Sequence, residues 1–89
     1  MAATTTHGEN QLLVNLDKLH TTKLGVDRIQ RNLSLWDVED IVSWCIEQIK
    51  ASGSEITREG KNWYVLTGGF RLTVNAYSYT IITAHRLKT

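Results

Sequence analysis

Three residue types that handle phosphate groups stand close together near the end of this 89-residue chain: Thr83, His85 and Arg86. A hydroxyl donates a hydrogen bond to a phosphoryl oxygen, an imidazole moves protons near neutral pH, and a guanidinium presents a planar fork of donors. The three close the stretch Asn75-Ala-Tyr-Ser-Tyr-Thr-Ile-Ile-Thr-Ala-His-Arg86, which is apolar in its middle. A strand that buries Ile82 and Ala84 turns Thr83 and His85 to its opposite face. The set therefore arrives at the rim of a sheet and suits phosphate chemistry.

Other candidates are scattered, and each has a plainer reading beside the functional one. His20, in Leu19-His20-Thr21-Thr22, stands at the end of an expected helix, where the dipole alone favours a cation. Arg28 and Arg31, one helical turn apart, form either a phosphate clamp or a solvated basic face. Lys61 falls in an expected turn. Trp63 and Tyr64 point to opposite faces of a strand, so one enters the core and the other is free to stack on a base. Trp36 and Trp44 flank an apolar helix stripe and read as core margin or contact surface. His7 lies in the lead-in and is given no role. Cys45 sits on the buried stripe, which argues against a reactive thiol. The sequence has no glycine-rich phosphate loop, no Cys-x-x-Cys and no His-Glu-x-x-His, and its histidines lack a metal-ligand spacing, so neither a metal nor a cofactor is expected.

These residues must be positioned by two kinds of element. Residues 1–9 carry no apolar period and read as a flexible tail, leaving 10–89 as one domain. Leu12, Leu13, Leu16 and Leu19 follow helical spacing, and Leu24, Ile29 and Leu33 predict a second helical stretch after Thr21-Thr22, weakened at Gly25. A third helix is predicted with Ser34 as N-cap, Asp37 as its capping-box partner, and Leu33 with Val38 as a hydrophobic staple. Its apolar stripe is Val38, Ile41, Val42, Cys45 and Ile49, and Gly53 ends it. From Ser54 the period becomes two. Ile56-Thr57 leads into a turn at Arg58-Glu59-Gly60-Lys61, Asn62–Thr67 is rich in strand formers, and Gly68-Gly69 supplies a tight hairpin. Phe70, Leu72, Val74 and Ala76 alternate with polar residues before a turn around Tyr77-Ser78. The expected fold is α+β, with two or three N-terminal helices packed on one face of a C-terminal antiparallel meander of about four strands.

Strand faces then define a site. If Phe70, Leu72 and Val74 face the helices, Arg71, Thr73 and Asn75 face away. On the last strand Ile82 and Ala84 join the core, leaving Tyr79, Ile81, Thr83 and His85 opposite. An even pairing register brings Arg71 opposite Thr83 with His85 beside them, whereas a one-residue slip pairs Leu72 with Thr83. The hydrophobic pattern favours the even register.

Composition narrows the class. With 42% hydrophobic and 21% charged residues this is an ordinary globular chain, and a formal charge of +1 excludes an overall basic nucleic-acid glove while allowing a local basic patch. A single cysteine cannot form an internal disulfide, so a cytoplasmic location is the default. No apolar run approaches the roughly 18 residues of a membrane span, and no signal peptide opens the sequence.

Taken together, Leu19-His20-Thr21-Thr22-Lys-Leu24-Gly25, Arg28-Ile29-x-Arg31-Asn32-Leu33, Gly60-Lys61-Asn62-Trp63-Tyr64-Val65 and Asn75-x-x-Ser78-Tyr79-Thr80-Ile81-Ile82-Thr83-Ala84-His85 resemble a family of small bacterial and phage proteins known as domain of unknown function 3781. The resemblance runs from about Leu12 to His85 and names no activity. In layout, helices followed by a meander with Thr-x-His on the last strand, the chain also resembles the barnase/RelE-like group of small ribonuclease toxins. That likeness implies metal-independent RNA cleavage, with His85 and His20 as acid and base and Thr83 donating a hydrogen bond. Arg28, Lys61 and Arg71 would stabilise the phosphorane, and Tyr64 or Tyr79 would stack on a base. The departures are a low net charge and no glutamate obviously placed as a base. The implied partners are RNA and a cognate antitoxin. The rival reading is a non-catalytic phage or mobile-element protein that inhibits a host or defence protein through its tryptophans. A third reading makes Asn62, Asn75 and His85 purely structural.

Overall fold

Alternation from Glu55 onward builds four strands in a meander: β1 (Glu55–Glu59), β2 (Asn62–Thr67), β3 (Phe70–Asn75) and β4 (Ile81–Arg86), with neighbours in chain order all antiparallel. The computed structural model describes residues 11–51 and 53–87, so the expected tail and His7 lie outside the described residues. The β2–β3 hairpin turns on Gly68 and Gly69 at φ 55° and 84°, the two positive values that a tight primed turn requires. The β1–β2 turn is shorter than expected. The strands run through to Glu59 and Asn62, which pair directly, so Arg58 is a strand residue opposite Trp63 rather than a turn residue.

The β3–β4 register has the even parity predicted from the hydrophobic pattern, displaced by one pair. Leu72 faces Ala84, Thr73 faces Thr83, and Arg71 faces His85 rather than Thr83. A bulge follows. Val74 pairs with Ile81, so Ile82 is the extra residue, and the core position expected for Ile82 is taken by Ile81. Ile81 and Ala84 are fully buried while Ile82 is only half-buried. An extra residue in one strand reverses the facing of everything before it, which is how two buried residues come to be three apart.

On the other layer, residues 11–13 are helical, a 3₁₀ turn spans Leu16–Lys18, and two α-helices follow, α1 (Lys23–Leu33) and α2 (Ile41–Lys50). Thr22 caps α1, its hydroxyl accepting from the Gly25 N–H at 3.0 Å. Ser34 does not open the next helix. It closes α1 in a left-handed conformation at φ 56°, and Leu35 to Asp40 form a connection in which Val38 N–H donates to the Leu35 carbonyl. The cap of α2 is Asp40, whose carboxylate accepts from both the Ser43 N–H (3.0 Å) and the Ser43 hydroxyl (2.9 Å). Those bonds favour the ionised form and hold the Asp40 carboxyl below its ordinary pKa.

The core lies between the layers. Trp63, Val65, Leu72, Val74, Ile81 and Ala84 from the sheet meet Leu12, Leu19, Ile29, Leu33, Ile41, Cys45 and Ile49. Each fully buried Leu or Ile contributes about 1.5–3 kcal/mol of transfer free energy. Burial also pushes the Cys45 thiol up to about 12. The architecture is α+β, with the helical layer on one face of the sheet and, among the described residues, no helix or strand over the other.

α1 runs along the outer edge of β4 and occupies it. His20 makes a parallel bridge with Thr80, its N–H donating to Tyr79 O and its carbonyl accepting from Ile81 N–H at 2.7 Å. Thr21 Oγ1 donates to Ile81 O (2.7 Å), Asn32 Nδ2 to Ala84 O (3.2 Å), and Arg86 Nη2 to Leu33 O (3.3 Å). Part of the β4 edge is thereby satisfied, by the backbone of His20 and by the side chains of Thr21 and Asn32. Gly25 permits the approach, because a Cβ there would overlap Thr21 Oγ1 and touch the Ile81 carbonyl.

Candidate functional site

The open face of the sheet carries Thr57 and Glu59 from β1, Tyr64 and Leu66 from β2, Arg71 and Thr73 from β3, and Thr83 and His85 from β4. Strand pairing sets them in rows. Leu66, Arg71 and His85 form one row, and Thr57, Tyr64, Thr73 and Thr83 form the next. The Arg71 guanidinium carbon lies 5.4 Å from the Tyr64 ring centroid, a cation–π contact that fixes the guanidinium over the sheet. Thr57, Glu59, Tyr64, Leu66 and Arg71 line a shallow depression of about 370 Å³. Thr83 is half-buried, with Asn32 Nδ2 at 3.4 Å from its hydroxyl. His85 is half-buried and makes no side-chain hydrogen bond among the described residues. Arg28 is exposed on α1 one turn before Asn32, on the side of the helix that flanks β4.

Three of the expected site residues are elsewhere. His20 bridges Thr80 at the start of β4, whereas His85 stands near its end, five residues or roughly 16 Å along the strand. The two imidazoles do not converge. His20 Nδ1 lies 3.0 Å from the Lys18 carbonyl, which can only accept, so this nitrogen carries the proton. In the neutral ring Nε2 then accepts from Thr80 Oγ1 at 3.0 Å, and Ser78 Oγ lies 2.7 Å from Thr80 Oγ1. The chain of contacts ends on Asn75 Oδ1, which takes the N–H groups of Tyr77 and Ser78 at 2.9 Å each. Tyr79, expected on the open face, packs instead against Trp63 with ring centroids 5.3 Å apart, because the bulge changes the facing and its own backbone is left-handed at φ 60°. Lys61 is in the β1–β2 turn, its carbonyl accepting from Ala76 N–H.

Arg86 also leaves the opening trio. Its guanidinium caps the Leu33 carbonyl at the end of α1 and sits 5.5 Å from the Phe70 ring centroid. Trp44 packs edge-on against Phe70, while Trp36, in the α1–α2 connection, is 62% exposed. Of the structural roles expected for Asn62, Asn75 and His85, Asn75 fulfils the turn role, and the Asn62 amide reaches Tyr64 Oη at 3.3 Å.

Glu59 and Leu66 were not recognisable as site residues from their types, although alternation from Trp63 and Ile56 places both on the open face. The face as assembled offers a guanidinium held by an aromatic ring, an imidazole directly across from it, the hydroxyls of the adjoining row, and a carboxylate at the far side of the depression. It can hold an anion beside a proton-transfer group.

Among the described residues no helix is long and apolar enough to cross a membrane. No curated protein and no solved structure gives a significant match to this chain. Residues 13–85 match the family described as "Protein of unknown function (DUF3781)", and the chain belongs to that family.

Proposed function

We propose that the open sheet face binds RNA and cleaves it without a metal, Arg71 neutralising charge on phosphorus and His85 transferring the proton. The observation that carries this reading is the direct cross-strand pairing of Arg71 with His85, with Tyr64 behind the guanidinium. Cleavage joins the ribose 2′-oxygen to phosphorus and breaks the bond to the 5′-oxygen, leaving a 2′,3′-cyclic phosphate. The imidazole takes the 2′-hydroxyl proton, and returning that proton to the leaving oxygen balances the step. Arg71 supports the pentacoordinate phosphorus, Thr73 and Thr83 lie in the adjoining row, and Tyr64 offers a stacking surface. Arg28, exposed on α1 one turn before Asn32, would meet the phosphate chain in this reading. In this reading His20 has a positioning role, holding the start of β4, and takes no part in proton transfer. A cytoplasmic toxin of this kind, bacterial or phage in origin, would be held in check by an antitoxin that covers the open face.

The test is cleavage of an RNA oligonucleotide in excess chelator. Wild type is expected to cut, while His85→Ala and Arg71→Ala each lose about 100-fold or more in rate with unchanged far-UV circular dichroism. Equal activity in wild type and His85→Ala sinks the catalytic assignment.

One observation favours a second reading. Trp36 is 62% exposed on a connection that also carries Asp37, Glu39 and Asp40, a combination suited to contact with a basic protein surface, as in an inhibitor of a host or defence protein. Expression in cells separates the two: an RNA-cleaving toxin arrests growth, and an inhibitor of this kind does not.

A further inference from the structure

Basic residues from two distant segments close on the turn between β3 and β4. Lys61 is joined to it through the Ala76 N–H, 2.7 Å from the Lys61 carbonyl. The Arg58 guanidinium carbon lies 5.5 Å from the Tyr77 ring centroid and 5.8 Å from that of Trp63. Lys18 Nζ is 5.6 Å from the Tyr79 ring centroid, and His20 reaches Thr80 as described. None of Lys18, Arg58 and Lys61 forms a salt bridge among the described residues. Asp17 and Glu59 are their sequence neighbours; strand alternation turns Glu59 to the open face, and Asp17 is exposed on the 3₁₀ turn. The acidic stretch Asp37 to Asp40 is at the other end of the molecule, beyond the contact of Arg86 with Leu33. Tyr77 is 74% exposed, so with Arg58 against its ring it still presents a free aromatic surface.

We infer that this turn is a separate nucleotide subsite for single-stranded RNA, a base stacking on Tyr77 and the adjoining phosphates resting on Lys18, Arg58 and Lys61. The inference rests on the RNA reading of the open face and extends it. Asn75, the last open-face residue of β3, also organises this turn, so the open face ends at the turn; Arg58 stands on the Trp63 side of the sheet, and an RNA strand reaches it by passing over that end. From Arg71 to Asn75 the strand covers roughly 13 Å, within the reach of a few nucleotides. An exposed ring favours RNA over a purely electrostatic partner, because base stacking is insensitive to sequence but requires an aromatic surface.

The experiment compares binding of a dinucleotide and a hexanucleotide, both 2′-O-methylated against cleavage, by fluorescence anisotropy. Wild type is expected to bind the longer RNA more tightly. Tyr77→Ala should weaken hexanucleotide binding about 5- to 100-fold, leaving dinucleotide binding and cleavage of an unmodified dinucleotide unchanged. Lys61→Gln should lower the salt dependence of hexanucleotide binding by about one counterion. Unchanged hexanucleotide affinity in Tyr77→Ala, with Arg71→Ala still impaired, overturns the subsite and spares the open face. Loss of binding in Tyr77→Ala but not in Arg71→Ala or His85→Ala supports the turn and removes the open-face reading. A wild type that binds neither RNA overturns both.

Discussion

His20 and His85 border the same strand and have opposite fates. At the start of β4, His20 contributes its backbone to the sheet edge and has a partner for each ring nitrogen, Lys18 O and Thr80 Oγ1. Near its end, His85 faces Arg71 across the open sheet and has no side-chain hydrogen bond among the described residues. The difference comes from what lies beside each position. The segment leading into α1 adds to the edge at Thr80, whereas among the described residues no helix or strand lies over the face on which His85 stands. An imidazole with both nitrogens engaged is committed to the fold, and one with neither engaged is available for a ligand.

That contrast can be broken most forcefully where the edge is sealed. Gly25→Ala is expected to push α1 from β4 and disrupt the Thr21–Ile81 bond, lowering stability by about 1–3 kcal/mol in urea unfolding despite alanine's better helix propensity. A neutral outcome would show that α1 does not depend on this approach. Next in size, His20→Ala should cost about 1 kcal/mol through its lost hydrogen bonds. His85→Ala should stay within about 0.5 kcal/mol of wild type while removing the proposed RNA cleavage. Equal destabilisation by the two substitutions would erase the distinction between them. The smallest effect concerns Cys45, another group committed to the fold. With its thiol pushed to about 12, the thiolate fraction at pH 8 is about 10⁻⁴, so folded protein should resist iodoacetamide labelling and become reactive only on unfolding.

Much of this arrangement was legible in the residues themselves. Alternation in Phe70–Asn75 separated Leu72 and Val74 from Arg71 and Thr73, and parity then required Arg71 and Thr73 to share a face with Thr83 and His85. The bulge was not legible. Ile81 and Ile82 are the same residue type in succession, so hydrophobicity cannot say which is buried, and simple alternation through them puts Tyr79 on the wrong face. The start of α2 was ambiguous for a different reason. Ser34 and Asp40 are both good caps, and Ser34 is used to end one helix because the chain adopts a left-handed conformation there. Glu59 and Arg58 were hidden by the apparent turn, which pairing reduces to Gly60 and Lys61.

By itself, the order of amino acids determined the meander, the helical layer and which polar residues each strand would offer, since those follow from local period and turn chemistry acting within a few residues. Tertiary structure alone decided which polar groups remained free. Whether His20 Nε2 or the Arg86 guanidinium meets a hydrogen-bond partner depends on segments more than fifty residues away in the chain packing against β4. Contacts of that range leave no periodic trace in the sequence, because each needs only one suitable donor or acceptor at the place where the two segments meet.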